Sequence, residues 1–177
     1  FAHNLAGFAS GYGGGAYLLG GTMLDCAMQA NVAYYGCGAG LVGATGLRCA
    51  AVSNINSQAD GAGFWLVSNA VLRDSQAIGN ATTFGGGGGV LAAAGAMVSN
   101  CVVVDNAAGW SGGGGIFCKS GALAIDCTVT SNRAQQAGGY GSQWGVFEGA
   151  VQPGYSFLQK AGHLQAEDHH HDAAHLG

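Results

Sequence analysis

Residues 113–134 read GGGIFCKSGALAIDCTVTSNRA: a glycine run, an apolar pair, a strand-like alternation around Cys127, then Asn132. The unit recurs along most of the chain. The position of Cys127 is filled by Cys26, Cys49, Ser75 and Cys101 in the other copies, and five residues after each stands Asn31, Asn54, Asn80 or Asn106. From Asn31 to Asn54 is 23 residues, and the next three steps, to Asn80, Asn106 and Asn132, are 26 each. A period of this length is the mark of a solenoid, in which each repeat buries its apolar face only against its neighbours.

Composition narrows what such a solenoid can do. Charged residues are 8% of the 177 and glycine fills 35 positions, too apolar for disorder and too poor in charge for an ordinary solvent-facing surface. Surface hidden in an assembly is the expectation. The net charge of −4 with five Lys and Arg provides no basic stripe for phosphates, which argues against nucleic acid and anionic membranes as partners. No run approaches the roughly 18 apolar residues of a membrane helix, so a soluble, not membrane-spanning, chain is expected. Its start at Phe1 suggests that any targeting peptide has been removed.

The copies align without forcing. GGGAYLLGGTMLDCAMQANVA from Gly13 lies gap-free on GCGAGLVGATGLRCAAVSNIN from Gly36; the third, fourth and fifth copies, from Gly61, Gly87 and Gly113, are longer in the connecting segments. In the fifth copy Leu123, Ile125, Cys127 and Val129 alternate with Ala124, Asp126 and Thr128, the period of a strand with one buried face. The same register buries Met97, Ser99, Cys101 and Val103 in the fourth copy, and points Arg73 inward in the third unless a bulge intervenes. A second strand follows each glycine run, and a third lies between Asn and Gly. Three short strands and three turns per 23 to 26 residues is the chain needed for one rung of a parallel β-helix, with rungs about 4.8 Å apart. The fold class predicted is an all-β, right-handed single-strand parallel β-helix of about five to six coils; the hand follows from parallel crossovers in general. Stacked asparagines would bond to one another through their amides and take the left-handed conformation at a turn.

The motif GGGIF followed by DCTVTSNRA resembles the GGAI and FxxN repeats of polymorphic outer membrane proteins and similar adhesin-type right-handed β-helix proteins. The resemblance covers about two thirds of the chain; Asn132 and the run Gly113–Gly115 match, whereas Val129, Val103 and Met28 stand where FxxN has its aromatic. It implies an extracellular or cell-surface β-helix used for adhesion or display, and no chemistry.

After Asn132 the pattern fades. Gly138 and Gly139 with Trp144, Val146 and Phe147 could open a sixth coil, and from Val151 the sequence mixes helix formers with histidines after Pro153. The division expected is a β-helix over 1–150 and a capping or docking tail, partly helical or irregular, over 151–177, since the end of a solenoid exposes apolar side chains and strand edges.

Several motifs compete for attention. Gly38-Ala39-Gly40-Leu41-Val42-Gly43, with Asp60 22 residues beyond Gly38, matches a dinucleotide fingerprint formally. It also superposes on the first repeat and is followed by strand, which removes its meaning. The column Cys26, Cys49, Cys101 and Cys127 admits three readings: buried thiols, disulfides between adjacent rungs such as Cys26 with Cys49 and Cys101 with Cys127, or a metal stack. Asp25, Arg48, Asp74, Asn100 and Asp126 form an outward row, read either as a solvated ion-pair ladder or as carboxylates for sugar or calcium. His169, His171 and His175 are the metal-like candidates, with solvated histidines the blander alternative. The sequon Asn80-Ala81-Thr82 falls in the ladder, so Asn80 is expected to be unmodified.

No paired acids and no Ser-His-Asp set are legible, so no catalysis and no cofactor are expected. The function expected is a structural or interaction protein, a rigid scaffold or adhesin-like display module outside the cell. Its partners would be other protein subunits, met at the coil ends or through the tail. The alternative is a carbohydrate-binding or polysaccharide-cleaving β-helix, using Asp25, Asp74 and Asp126 with Tyr34, Tyr35, Trp65 or Trp110 as stacking platforms.

Overall fold

The computed structural model describes residues 1–6, 11–109, 112–119, 121–134, 140–143 and 146–148, with side chains described as far as residue 134. Trp110, Trp144, the histidine candidates His169, His171 and His175, and the expected tail 151–177 lie outside the described residues.

All described regular structure is strand. The first layer holds β1 (Ala16–Leu19), β2 (Thr22–Leu24), β3 (Ala27–Gln29) and β4 (Val32–Ala33); the second β5 (Ala39–Val42), β6 (Thr45–Leu47), β7 (Ala50–Val52) and β8 (Ile55–Asn56). The third holds β9 (Phe64–Val67), β10 (Val71–Arg73), β11 (Gln76–Ile78) and β12 (Ala81–Thr82); the fourth β13 (Val90–Ala92), β14 (Met97–Ser99), β15 (Val102–Val104) and β16 (Ala107–Ala108). The fifth holds β17 (Ile116–Lys119), β18 (Leu123–Ile125), β19 (Thr128–Thr130) and β20 (Arg133–Ala134), and β21 (Tyr140–Gln143) and β22 (Val146–Glu148) follow. Each strand pairs with its counterparts one layer away, giving four parallel sheets, of which the first runs β1-β5-β9-β13-β17-β21. The chain is a parallel β-solenoid, as predicted. It makes about four turns from the first layer to the fifth, slightly fewer than the five to six coils expected.

Four sheets replace the three expected, and the reason is a single backbone conformation. Asp25, Arg48, Asp74, Asn100 and Asp126 all have φ of 50° or 51°, a left-handed geometry that turns the chain sharply and resets the in-out alternation. The long strand of the sequence reading is thereby cut in two. Inward positions become Leu72, Val98 and Ala124 before the corner, and Cys101, Val103, Cys127 and Val129 after it. Met97, Ser99, Leu123 and Ile125, expected inside, face outward and are half-buried. The same corner releases Arg73, which is exposed.

The second correction concerns the asparagines. The left-handed residue is the one before each: Ala30 (φ 51°), Ser53 (54°), Gly79 (63°), Asp105 (56°) and Ser131 (55°). Asparagine is selected for its side chain instead. The Oδ1 of Asn80 accepts the backbone N–H and the Nδ2 of Asn54, both at 2.9 Å, and its Nδ2 donates to Ala51 O and to Asn106 Oδ1, both at 2.9 Å. The pattern runs from Asn4 through Asn31, Asn54, Asn80 and Asn106 to Asn132. Burying amides is costly unless every group is paired, and no buried side-chain N or O among the described residues lacks a partner.

The ladder also explains the glycine that opens each first-sheet strand. A Cβ on Gly63 would lie 2.4 Å from Gly89 O and 2.9 Å from Asn80 Nδ2, so only glycine lets the amide column pass. Inside, bulk is shared between sheets: Gly46 sits where a Cβ would be 2.9 Å from Leu72 Cδ1 and 3.1 Å from Leu41 Cδ1, as close packing demands. The core runs up the axis as one cluster from Met23 to Val129. No described helix is long and apolar enough to cross a membrane.

Candidate functional site

The outward column of the first sheet reads Tyr17, Gly40, Trp65, Leu91 and Phe117 in adjacent registers. Its two halves differ. Leu91 and Phe117 are buried although they face away from the core, because the glycine-rich connections fold over them; a Cβ on Gly112 would lie 2.5 Å from the Phe117 ring. Toward the chain start the column stays open, with Tyr17 41% and Tyr12 40% exposed.

Five rings gather at this open end. Tyr12 stacks on Tyr35 (centroids 5.0 Å, planes 11° apart) and touches Tyr17 at 5.4 Å and Trp65 at 5.3 Å. Tyr35 reaches Trp65 at 5.5 Å and meets Tyr34 edge-on at 4.8 Å. The backbone places the first pair, since Tyr12 and Tyr35 form a parallel bridge immediately before Gly13 and Gly36. Gly40 places Tyr17: a Cβ there would lie 2.7 Å from Tyr17 Cδ2, so the ring lies across the space that any side chain at position 40 would occupy. Pairs of this kind add about 0.5–1.5 kcal/mol each beyond area burial.

Beside the patch runs a structured loop. Asn56 Oδ1 accepts the N–H groups of Gln58 and Ala59, both at 2.8 Å, while its Nδ2 donates to Tyr34 O at 2.6 Å. This fixes Asp60, whose Oδ1 accepts Gly86 N–H at 2.7 Å and whose Oδ2 binds Lys119 Nζ at 2.7 Å. Lys119 also lies 4.6 Å above the Phe117 ring. Burial, with Tyr34, Tyr12 and Asp60 nearby, pushes the Tyr35 phenol up from its ordinary value, so it stays a neutral hydroxyl donor in mildly alkaline solution.

The acidic row expected to line a sugar or calcium site lies elsewhere, at the corner between the second and third sheets. There Arg48 binds Asp25 through two bonds of 2.8 and 2.9 Å, and Asn100 Nδ2 donates to Asp74 at 2.5 Å. The guanidinium holds the Asp25 carboxyl below its usual range. The row holds two hydrogen-bonded pairs, Asp25 with Arg48 and Asp74 with Asn100, and the structure does not bring it to the aromatic patch. Among the described residues no group of three His, Cys, Asp or Glu could hold a metal ion.

No disulfide pairs Cys26, Cys37, Cys49, Cys101 or Cys118. The column consists of buried thiols, with Cys26 half-buried at its start. Cys49, Cys101 and Cys127 donate to the carbonyls two residues earlier at 3.2 to 3.3 Å. Burial pushes Cys37 up to about 12 and raises Cys118 and Cys49, so these are inert core groups. The formal dinucleotide fingerprint also dissolves here: Ala39–Val42 is strand β5, and Gly40 faces outward under Tyr17.

Of the platforms expected, Tyr34, Tyr35 and Trp65 do come together. Tyr12 and Tyr17 were not foreseen as members. Tyr12 and Tyr35 precede aligned glycines in the two gap-free copies, a repeat signal that could have paired them; Tyr17 could be placed only once Gly40 was known to be its neighbour. No protein-family model, no curated protein and no solved structure matches the chain. The resemblance to polymorphic outer membrane protein repeats therefore rests on its motifs alone.

Proposed function

We propose that the chain is a non-enzymatic structural and interaction protein, a rigid β-solenoid scaffold or adhesin-like display module working within a larger assembly outside the cell or at its surface. One observation carries this: the outward positions of β3, β7, β11, β15 and β19 hold only Ala, Val, Ile, Thr and Gln. A flat, charge-free sheet face on a rigid stack is suited to burial against another protein. Cross-linking followed by native mass spectrometry of the source material tests it. A stoichiometric protein partner cross-linked to the chain is the expected result, and a lone monomer without cross-links would overturn the proposal.

A second reading, carbohydrate binding, is favoured by the exposed aromatic patch. Cleavage draws no support, since Asp25 and Asp74 are hydrogen-bonded to Arg48 and Asn100 and do not face each other as a pair of acids.

A further inference from the structure

The patch selects among ligands by shape and by charge, and we infer that it takes an uncharged oligosaccharide laid along the solenoid axis with sugar rings against Tyr17 and Trp65. This class rests on the carbohydrate reading above and narrows it.

Shape comes first. Tyr12 and Tyr35 are stacked at 5.0 Å, which leaves no space between their faces, so the cluster is a platform and not a cage that could enclose a quaternary ammonium group. A platform of tilted ring faces suits the C–H face of a pyranose, with tyrosine hydroxyls at its margin to meet sugar hydroxyls. The backbones of Tyr17 and Trp65 are two rungs apart with Gly40 between them, roughly 10 Å at the usual spacing, and the Tyr17 ring leans over Gly40, so the two rings lie somewhat closer than that. That distance is within the reach of two linked sugar rings.

Charge decides the rest. Lys119 is the cation on this side of the first sheet, and Asp60 occupies it. The other described cationic side chains belong to other places: Arg48 to the corner with Asp25, Arg73 to β10 and Arg133 to β20. Among the described residues a uronate, sulfate or phosphate group on a ligand would find no free positive partner at the patch, and the Asp60 carboxylate beside it would repel an anion.

Gly40 is the positioning residue. An alanine there would press on the Cδ2–Cε2 edge of the exposed Tyr17 ring and meet backbone only at an ordinary 3.6 Å contact with Gly13 N, so it would move Tyr17 without disturbing the coil.

The test is calorimetric titration of the full chain with cellohexaose, xylohexaose and mannohexaose as neutral probes, hexagalacturonate as an acidic one, and choline. Binding of at least one neutral hexasaccharide, insensitive to added salt, is expected. Trp65→Ala and Tyr17→Ala should each weaken it about tenfold or more, and Gly40→Ala should weaken it severalfold with an unchanged thermal midpoint. Tyr17 is exposed, so its loss does not endanger folding, and Arg48→Ala at the distant corner should change nothing. Preference for hexagalacturonate would overturn the uncharged class and leave the carbohydrate reading standing. Preference for choline, or no saccharide binding at all, would overturn both. Neutral binding that survived Trp65→Ala and Tyr17→Ala would place the site elsewhere and overturn the inference alone.

Discussion

Asn80 stands in the middle of the ladder, and Asn80→Ala removes four hydrogen bonds together. Two are those its Oδ1 accepts from Asn54 N and Nδ2, and two are those its Nδ2 donates to Ala51 O and Asn106 Oδ1. The groups left behind differ in consequence. Asn54 Nδ2 keeps Met28 O, and Asn106 Oδ1 keeps the Asn80 N–H, but the buried N–H of Asn54 loses its acceptor. With a net value of about 1 kcal/mol for each of the four bonds and a further 1–3 kcal/mol for an orphaned buried donor, the loss is about 5–7 kcal/mol. That is a large share of the 5–15 kcal/mol typical of a whole domain. Asn80→Asp sharpens the test because it keeps the shape and one accepting oxygen while turning the donor into an acceptor facing Ala51 O and Asn106 Oδ1. At neutral pH it should be at least as destabilising as alanine. Its buried carboxyl would have a folded pKa raised above the unfolded value near 3.9, so the proton is bound more tightly in the native state and the deficit shrinks as pH falls. Urea denaturation followed by far-ultraviolet circular dichroism at pH 7 and pH 4 reads both effects. Asn4→Ala, at the start of the ladder, loses a single side-chain bond, to Asn31 Oδ1, and should cost about 1 kcal/mol. Equal costs at Asn4 and Asn80, or an Asn80→Asp variant indifferent to pH, would refute the ladder as the element that locks the layers.

Gly63→Ala should destabilise by about 3 kcal/mol or more in the same assay, because its Cβ would press on Gly89 O at 2.4 Å, a backbone atom that cannot swing away. Ala30→Gly should stabilise by about 0.5–1 kcal/mol, since Ala30 is held at φ 51° where glycine is at ease. Under native, reducing conditions near neutral pH one thiol, Cys26, should react quickly with a thiol reagent and the other five only after unfolding, following their burial. The raised thiols also set an alkaline limit. Their folded pKa values lie above the unfolded value near 8.5, so their contribution is intact below that pH and is lost above it, at about 1.4 kcal/mol per pH unit for each thiol until its folded pKa is reached. Cys37, held at about 12, should contribute across most of that window, and Cys37→Ala should make the decline of the urea midpoint above pH 9 visibly shallower.

The sequence shows the stack because stacking acts on sequence directly. When layers lie about 4.8 Å apart, a residue meets its own counterpart, and only a side chain that can pair with itself, as an amide can, is kept at one position from Asn31 to Asn132. Period, parallel pairing and the amide column are legible for that reason. The corner after β2, β6, β10, β14 and β18 is legible only in part. Asp25, Asp74, Asn100 and Asp126 are of the types that accept φ near 50°, but Arg48 breaks the series, and the apolar alternation on either side of the corner continues the period of a single strand. The aromatic patch is hidden because it interrupts the repeat: at this place the column runs Tyr17, Gly40, Trp65. Large, absent, large is a pattern that alignment of repeats scores as a mismatch, yet it is the gap at Gly40 that lets one ring lie down and a neighbouring ring stand open. In such a fold the repeated column reports what holds the layers together, and a position where adjacent copies differ sharply in size, as Gly40 does from Tyr17 and Trp65, reports a local packing arrangement that the period does not encode.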